Sequence, residues 1–320
     1  MILIYRIVFA ADLHGSTLCF RKLLSIAKNY EKINYLIVNG DLTGKFVTPI
    51  VERGDKYFVS FKGTSTEIAK NELEPLLEKM QNRDEYYRVM SQEEYEILQK
   101  DHSAVEDEFV KLAQQRLEKW LDLATDTLKG SNTKLLINGG NDDPYVIDDI
   151  IKKHENENII FPENKIVILG DKNEMITSGN ANITPWNCPR DISEESLYKL
   201  LEEKISRLND VKASIFNIHV PPYGTVIDKA PKLDKNKEKV VTFAGHALTE
   251  SVGSKSVREL IEKYQPMLTM HGHVHEGKGA CKIGKTICVN PGSEYLNGVL
   301  NYVLISVDGN KVRDYIMMSG

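Results

Sequence analysis

Two short stretches of the chain pair residue types that bind metal ions. Asp12 and His14 are one residue apart, so both side chains can turn to the same side and share a cation, and His273 and His275 repeat that spacing. Asp41 and Asn141 each follow a glycine, which permits a tight turn and a close backbone approach. With His219 they make a set of carboxylate, carboxamide and imidazole donors. That mixture suits borderline divalent ions such as Mn, Fe, Zn, Co or Ni better than Ca or Mg, which favour all-oxygen shells. These donors exceed what one tetrahedral ion needs and match two ions bridged by a shared carboxylate and a water. Such ions lie roughly 3.5 to 4 Å apart, where they activate the bridging water and clamp phosphoryl oxygens. The chemistry to expect is hydrolysis of a phosphate ester.

Donors from so many points of the sequence must be brought together by rigid elements. Ile4 to Ala11 is a nearly all-apolar run that stops abruptly at Asp12-Leu13-His14-Gly15, as a strand buried on both faces does. Phe20, Leu23, Leu24 and Ala27 then recur at helical spacing, and Tyr35 to Val38 forms a second apolar run before Asn39-Gly40-Asp41, completing a β-α-β unit. Leu135 to Ile137, Ile215 to Ile218 and Met267 to Met270 end the same way, before Gly139–Asp143, His219 and His271–His275. Five strands thus deliver polar residues to one edge, where ligands bind in α/β sheets. Thr286 to Asn290, Asn301 to Val307 and Lys311 to Met317 carry strand and hairpin signals that predict a second, mostly antiparallel sheet. Between Gly44 and Gly130 the texture is charged and amphipathic. Thr64-x-x-Glu67 and Ser91-x-x-Glu94 resemble capping boxes, and Val105, Phe109, Leu112, Leu117, Trp120, Leu121, Ala124 and Leu128 mark one apolar face. This predicts a helical insertion over 45–130, a candidate cap, within one domain spanning 1–320.

With 320 residues, of which 41% are hydrophobic and 27% charged, the chain can bury a full core unaided. Its net charge of −5 offers no general attraction to nucleic acid or to an anionic membrane. The four cysteines lack Cys-x-x-Cys spacing and sit among apolar neighbours, which suits reduced thiols. No uncharged apolar stretch reaches the roughly 18 residues of a membrane span, and the first apolar run is interrupted by Arg6. A cytoplasmic protein with a small phosphate-ester substrate is expected.

Asp12-x-His14, Gly40-Asp41, Gly140-Asn141-Asp142-Asp143, His219 and Gly272-His273-x-His275 occur in the order found in the calcineurin-like metallophosphoesterase superfamily, which this chain resembles from residue 12 to 275. The resemblance implies an α/β fold, a four-layer α-β-β-α sandwich of two facing mixed sheets with the site at its top. It implies that Asp12, His14 and His275 hold one metal, that Asn141, His219 and His273 hold the second, and that Asp41 bridges them. A bridging hydroxide would attack, with Asn141 helping to stabilise the transition state. The chain departs from the pattern at Asp142, where the superfamily has a His that contacts the scissile phosphate and helps the leaving group depart. An ionised Asp142 would repel a phosphate. The expected catalytic group is therefore Asp41, Asn141 and Asp142, with either weak activity on poor leaving groups or another donor, His246 being the candidate. Two alternatives follow: an interaction scaffold that keeps the metals, and a nuclease, which the acidic balance disfavours.

Other residues receive structural readings. His102 and His154 sit in charged helical stretches, and His271 is expected in the core or beside a ligand that it orients. Lys111, Arg116 and Lys119 alternate with acids as on a solvated helix face, and Tyr86, Tyr87 and Arg88 are expected to pack. Pro221–Thr225 reads equally as a pocket wall or as a rigid loop that fixes His219, and Asn290-Pro291-Gly292-Ser293 as a structural turn.

Overall fold

The computed structural model describes residues 4–30, 32–61, 64–234, 236 and 239–320, the side chains of Phe61 and His102 excepted. Two six-stranded mixed sheets dominate it. In the first, β1 (Ile4–Ala10), β2 (Tyr35–Asn39), β7 (Lys134–Asn138) and β8 (Ile159–Ile160) run parallel. The antiparallel pair β21 (Asn301–Asp308) and β22 (Lys311–Ser319) extends it beyond β1. In the second, β10 (Asn173–Ser178), β13 (Ile215–Ile218), β18 (Leu268–Met270) and β20 (Thr286–Asn290) are parallel. The edges there are β9 (Val167–Leu169) and β19 (Gly279–Ile283), both antiparallel. The expected separate C-terminal sheet does not form. The parallel edges of β18 and β1 were open, and pairing with them satisfies the backbone of β20 and β21.

Continuous apolar strands are what a sheet covered on both faces requires. One core cluster joins Ile7, Phe9, Ile37 and Leu136 of the first sheet to Met175, Ile215, Leu268 and Val289 of the second, so the sheets face each other. The other face of the first sheet packs Val8, Leu36 and Leu135 against α1 (Thr17–Asn29), α4 (His102–Leu128) and α5 (Val146–Lys153). That of the second packs Phe216 and Ile218 against α6 (Glu194–Ser206) and α7 (Lys255–Tyr264). In α1, Ser16 Oγ accepts from the Cys19 N–H and caps the helix, while Phe20, Leu23 and Leu24 are buried, as their spacing predicts. Trp120 of α4 stacks on Phe20 with ring centroids 4.6 Å apart.

The segment 45–130 is not all helix. It carries a four-stranded sheet in the order β5 (Thr64–Ala69), β4 (Lys56–Phe61), β3 (Phe46–Arg53), β6 (Glu85–Met90), together with α2 (Leu73–Gln81), α3 (Gln92–Leu98) and α4. Thr64 and Glu67 lie in a strand rather than in a capping box, whereas Ser91 and Glu94 do form one, each side chain bonded to the other's backbone N–H. The β-branched run Thr64, Thr66, Ile68 favours the extended chain. Along α4 the apolar face is buried from Leu117 to Leu128, while Val105 is exposed. Short two-stranded ribbons pair β11 (Ala181–Asn182) with β12 (Asp191–Ile192), β14 (Lys229–Pro231) with β17 (Thr249–Ser251), and β15 (Thr242–Phe243) with β16 (His246–Ala247). Among the described residues no helix is long and apolar enough to cross a membrane.

Candidate metal centre

Strand register sets the site. Ala10 stands opposite Val38, and Val38 opposite Ile137, so the residues that follow these strands leave the first sheet at one level. Backbone bonds then lock the loops: Asp12 N–H to Gly40 O at 3.1 Å, His14 N–H to Asp41 O at 2.8 Å and Gly40 N–H to Asn138 O at 3.0 Å. The Asp143 carboxylate gathers the N–H groups of Leu42, Thr43 and Gly140 and the Thr43 hydroxyl, all at 2.7 to 2.9 Å. From the second sheet, Gly272 N–H bonds His219 O at 2.9 Å, and His273 N–H reaches both oxygens of Asp12 at 2.9 and 3.0 Å. Close approach needs glycine at two of these ends. A Cβ on Gly40 would lie 2.4 Å from His219 Nδ1, and one on Gly140 would lie 2.3 Å from Asp41 Oδ1. Asp12, His14, Asp41 and His273 all hold left-handed backbone, with φ of +56°, +42°, +49° and +67°. Such conformations cost energy that the surrounding bonds must offset, and they gather at functional sites.

The donors converge into two groups. Asp12, His14, Asp41 and His275 form the first, and Asp41, His219 and His273 the second, with the donor atoms of each within 4.8 Å of one another. Asp41 belongs to both. Its Oδ2 lies 3.6 Å from His14 Nε2 and its Oδ1 lies 3.3 Å from His219 Nε2. Asn141 joins the second group, its Oδ1 being 2.8 Å from His273 Nδ1. All seven residues proposed from sequence are thus brought together.

Three of the donors are oriented from behind. His219 Nδ1 lies 2.9 Å from Asn39 O and His14 Nδ1 lies 3.3 Å from Thr43 O, which turns both Nε2 atoms inward. The Asn141 amide donates from Nδ2 to Asp191 Oδ1 at 2.9 Å, leaving its carbonyl oxygen for the cluster. Burial pushes Asp12 up to about 6, and burial together with Lys45 holds His14 well below its ordinary value. Burial and His219 lower His273 to about 3. For His219 burial would do the same, but Asp41 and Asp12 overcome it and raise the imidazole to about 9. Burial would raise Asp41, yet His219, His14 and Lys45 keep it well below the usual carboxylate range.

This donor set fits divalent cations. His219 Nε2 is fully buried and has no hydrogen-bond partner among the described residues, so it is aimed at the group without being satisfied by it. His14 Nε2 and His275 Nε2 face each other at 3.0 Å, a contact in which one nitrogen must carry a proton unless a cation takes both lone pairs.

Asp142 lies at the rim. Its N–H donates to Asp41 Oδ1 at 3.1 Å, while its carboxylate forms an ion pair with Lys45 and accepts from Cys188 Sγ at 3.6 Å. His246 is exposed on the β15–β16 hairpin and belongs to neither metal-binding group. Arg116 is also not on a solvated face. Its guanidinium donates to the backbone carbonyls of Gly15, Arg83 and Glu85 and lies 4.5 Å over the Tyr86 ring, which ties α4 to the Asp12 loop. Tyr86 packs as expected, with its hydroxyl accepting from the Gly44 N–H at 2.9 Å.

His271 is a buried core residue, its Nδ1 lying 2.8 and 3.0 Å from the carbonyls of Ile218 and Val220 on either side of His219. His154 caps α5 away from the cluster, and the His102 side chain lies outside the described residues. Asn290 Nδ2 bonds the carbonyls of Gly272 and Val274, and Ser293 Oγ that of Asp12, so their turn braces both ligand loops. Pro221–Thr225 is pinned by Ser254 and Asp228 as a rigid loop. Sequence reasoning missed Lys45, Asp143 and Asp191. Asp143 stood inside a quoted motif, but nothing local marks Lys45 or Asp191 before the loops are brought together.

A family model of calcineurin-like phosphoesterases matches residues 5–277. An uncharacterised protein of Methanocaldococcus jannaschii, MJ1162, is 35% identical over 115 residues, covering 35% of this chain and 45% of that protein, so the match spans about half of that curated relative. One solved crystal structure is similar with a TM-score of 0.56 at 16% identity over 99% of each chain, a likeness of fold alone. Another, TT1561 of Thermus thermophilus, matches with a TM-score of 0.49 at 10% identity over 99% of each chain. Because the family match runs from the first strand to just past His275, the chain belongs to the calcineurin-like phosphoesterase family.

Proposed function

We propose that this chain is a metal-dependent hydrolase of a small phosphomonoester or phosphodiester, working through a dinuclear centre at the top of a four-layer sandwich. One observation carries the reading: a single buried carboxylate, Asp41, belongs to both groups of metal-binding atoms. Asp12, His14 and His275 would complete one site, and Asn141, His219 and His273 the other. When bound, two divalent ions would activate water and neutralise charge on the phosphoryl oxygens. The chain's own residues then do the remaining work. Asp41 fixes the spacing of the two sites, Asn141 presents its carbonyl oxygen from an amide held by Asp191, and the buried walls exclude bulk water around His14 and His219. The segment 45–130, tied to the Asp12 loop through Arg116, would cap the site.

The test is to strip the purified protein, reload it with Mn, Ni, Co or Zn, count metal per chain, and assay p-nitrophenyl phosphate and bis-p-nitrophenyl phosphate. Two ions per chain with turnover of either ester supports the reading, and turnover of the diester alone makes it a phosphodiesterase. Two bound ions without turnover would favour a scaffold, and no bound metal would sink the proposal.

A further inference from the structure

One charged pair stands where the buried cluster opens. Lys45 and Asp142 form an ion pair whose side chains keep 30% and 28% of their exposure, whereas those of Asp12, His14, Asp41 and His219 keep between 0 and 6%. The pair is joined to the cluster rather than merely near it. The Asp142 N–H donates to Asp41 Oδ1, and Lys45 lies close enough to lower His14, Asp41 and His273. Its backbone is also held. Lys45 N–H bonds Asp84 O at 2.9 Å, and the preceding Gly44 has no room for a side chain, since a Cβ there would sit 2.3 Å from Asp84 O.

This geometry resolves a conflict of charge. Asp12, Asp41 and Asp142 put three carboxyl groups where an anionic phosphate must arrive, and Asp142 is the only one of the three outside the metal-binding groups. Left alone it would oppose the substrate. The Lys45 ammonium cancels it, and an ammonium has three N–H donors, of which the contact with Asp142 engages one. A lysine of this kind binds phosphate as a point charge through the donors that remain.

We propose that Lys45, docked on Asp142, is a substrate-binding residue that donates to a non-bridging phosphoryl oxygen, and that Asp142 is its positioning residue. The proposal rests on the metal-site reading above and adds to it the cation that the donor set lacks.

Metal-loaded wild type, Lys45→Met, Lys45→Arg and Asp142→Asn should be compared for metal content and for binding of inorganic phosphate by calorimetry. Lys45→Met is expected to keep the wild-type metal content, which also shows that it has folded, and to bind phosphate about tenfold to a hundredfold more weakly, the range for a hydrogen bond to a charged group. Lys45→Arg should recover most of that loss. Asp142→Asn should weaken binding less than Lys45→Met, because it frees the cation without removing it. Unchanged phosphate affinity in a metal-replete Lys45→Met protein would overturn this assignment alone. A wild type that takes up no metal would overturn the metal site and this assignment together.

Discussion

The two sheets contribute different chemistry to the same cluster. The first supplies every carboxylate of the cluster, Asp12 and Asp41, with Asn141 and one imidazole, His14. The second supplies three imidazoles, His219, His273 and His275. Neither half is a metal site by itself: the first would crowd like charges together, and the second would face neutral rings across a gap. Facing each other, they partly neutralise one another even without metal, as the raised His219 and lowered Asp41 show. The site is a property of the seam between the sheets.

If that division is correct, Asp41 is the one residue whose loss damages both sides. Asp41→Ala should abolish binding of both ions and cut phosphoesterase activity about a thousandfold, since metal stabilisation amounts to several kcal/mol. Metal counting together with kcat/KM decides this, and retention of either ion would show that the bridge is dispensable. Next in size, His219→Ala and His275→Ala should each leave about one ion per chain, on opposite sides of the seam. Mass spectrometry of the native protein can count them, and loss of both ions from either variant would mean that the two groups bind only as a unit. Asp191→Ala should keep the ions but weaken the second site about 10- to 100-fold, because the Asn141 amide loses the acceptor that orients it. A chelator competition titration reads this directly, and wild-type affinity would remove Asp191 from the site.

The effect of pH is comparable in size to the loss of Asp191. His219, raised to about 9, must shed its proton before it can bind a cation, so below that pH the affinity of the second site should fall about tenfold per unit. Asp12, raised to about 6, adds a second proton on the first side only below that value. Metal titrations at pH 7, 8 and 9 should therefore show the dependence in the second site and little in the first. A flat response from pH 7 to 9 would mean that His219 is neutral in the metal-free protein.

The strands that carry donors were legible because buried parallel strands read as unbroken apolar runs, and polar residues at their ends stand out against them. Ile4–Ala10 and Tyr35–Asn39 show this to within a residue or two. The later strands were seen but assigned to the wrong sheet, since Thr286–Asn290 reads the same whichever open edge it joins. The segment 45–130 was misread for a different reason. Its first two strands are short and are bounded by charged residues, Glu52, Arg53 and Lys56 standing between the apolar parts of Phe46–Arg53 and Lys56–Phe61, so the stretch blends into the charged, amphipathic texture of the helices that follow. The two-residue turn Gly54-Asp55 between Arg53 and Lys56 was the hairpin signal that could have corrected it. Lys45 was illegible on other grounds. Its meaning comes from Asp142, which is distant in sequence and becomes its partner only when the loops after β2 and β7 meet.

The left-handed turns at Asp12, His14, Asp41 and His273 bear on any attempt to move this site into another protein. A side chain leaves a left-handed backbone in a direction that a right-handed or extended residue cannot reproduce, so a list of the seven donors is not a portable recipe. A designer who transplanted the residues onto idealised loops would keep the chemistry and lose its aim. The part to copy is the turn, and the donors come with it.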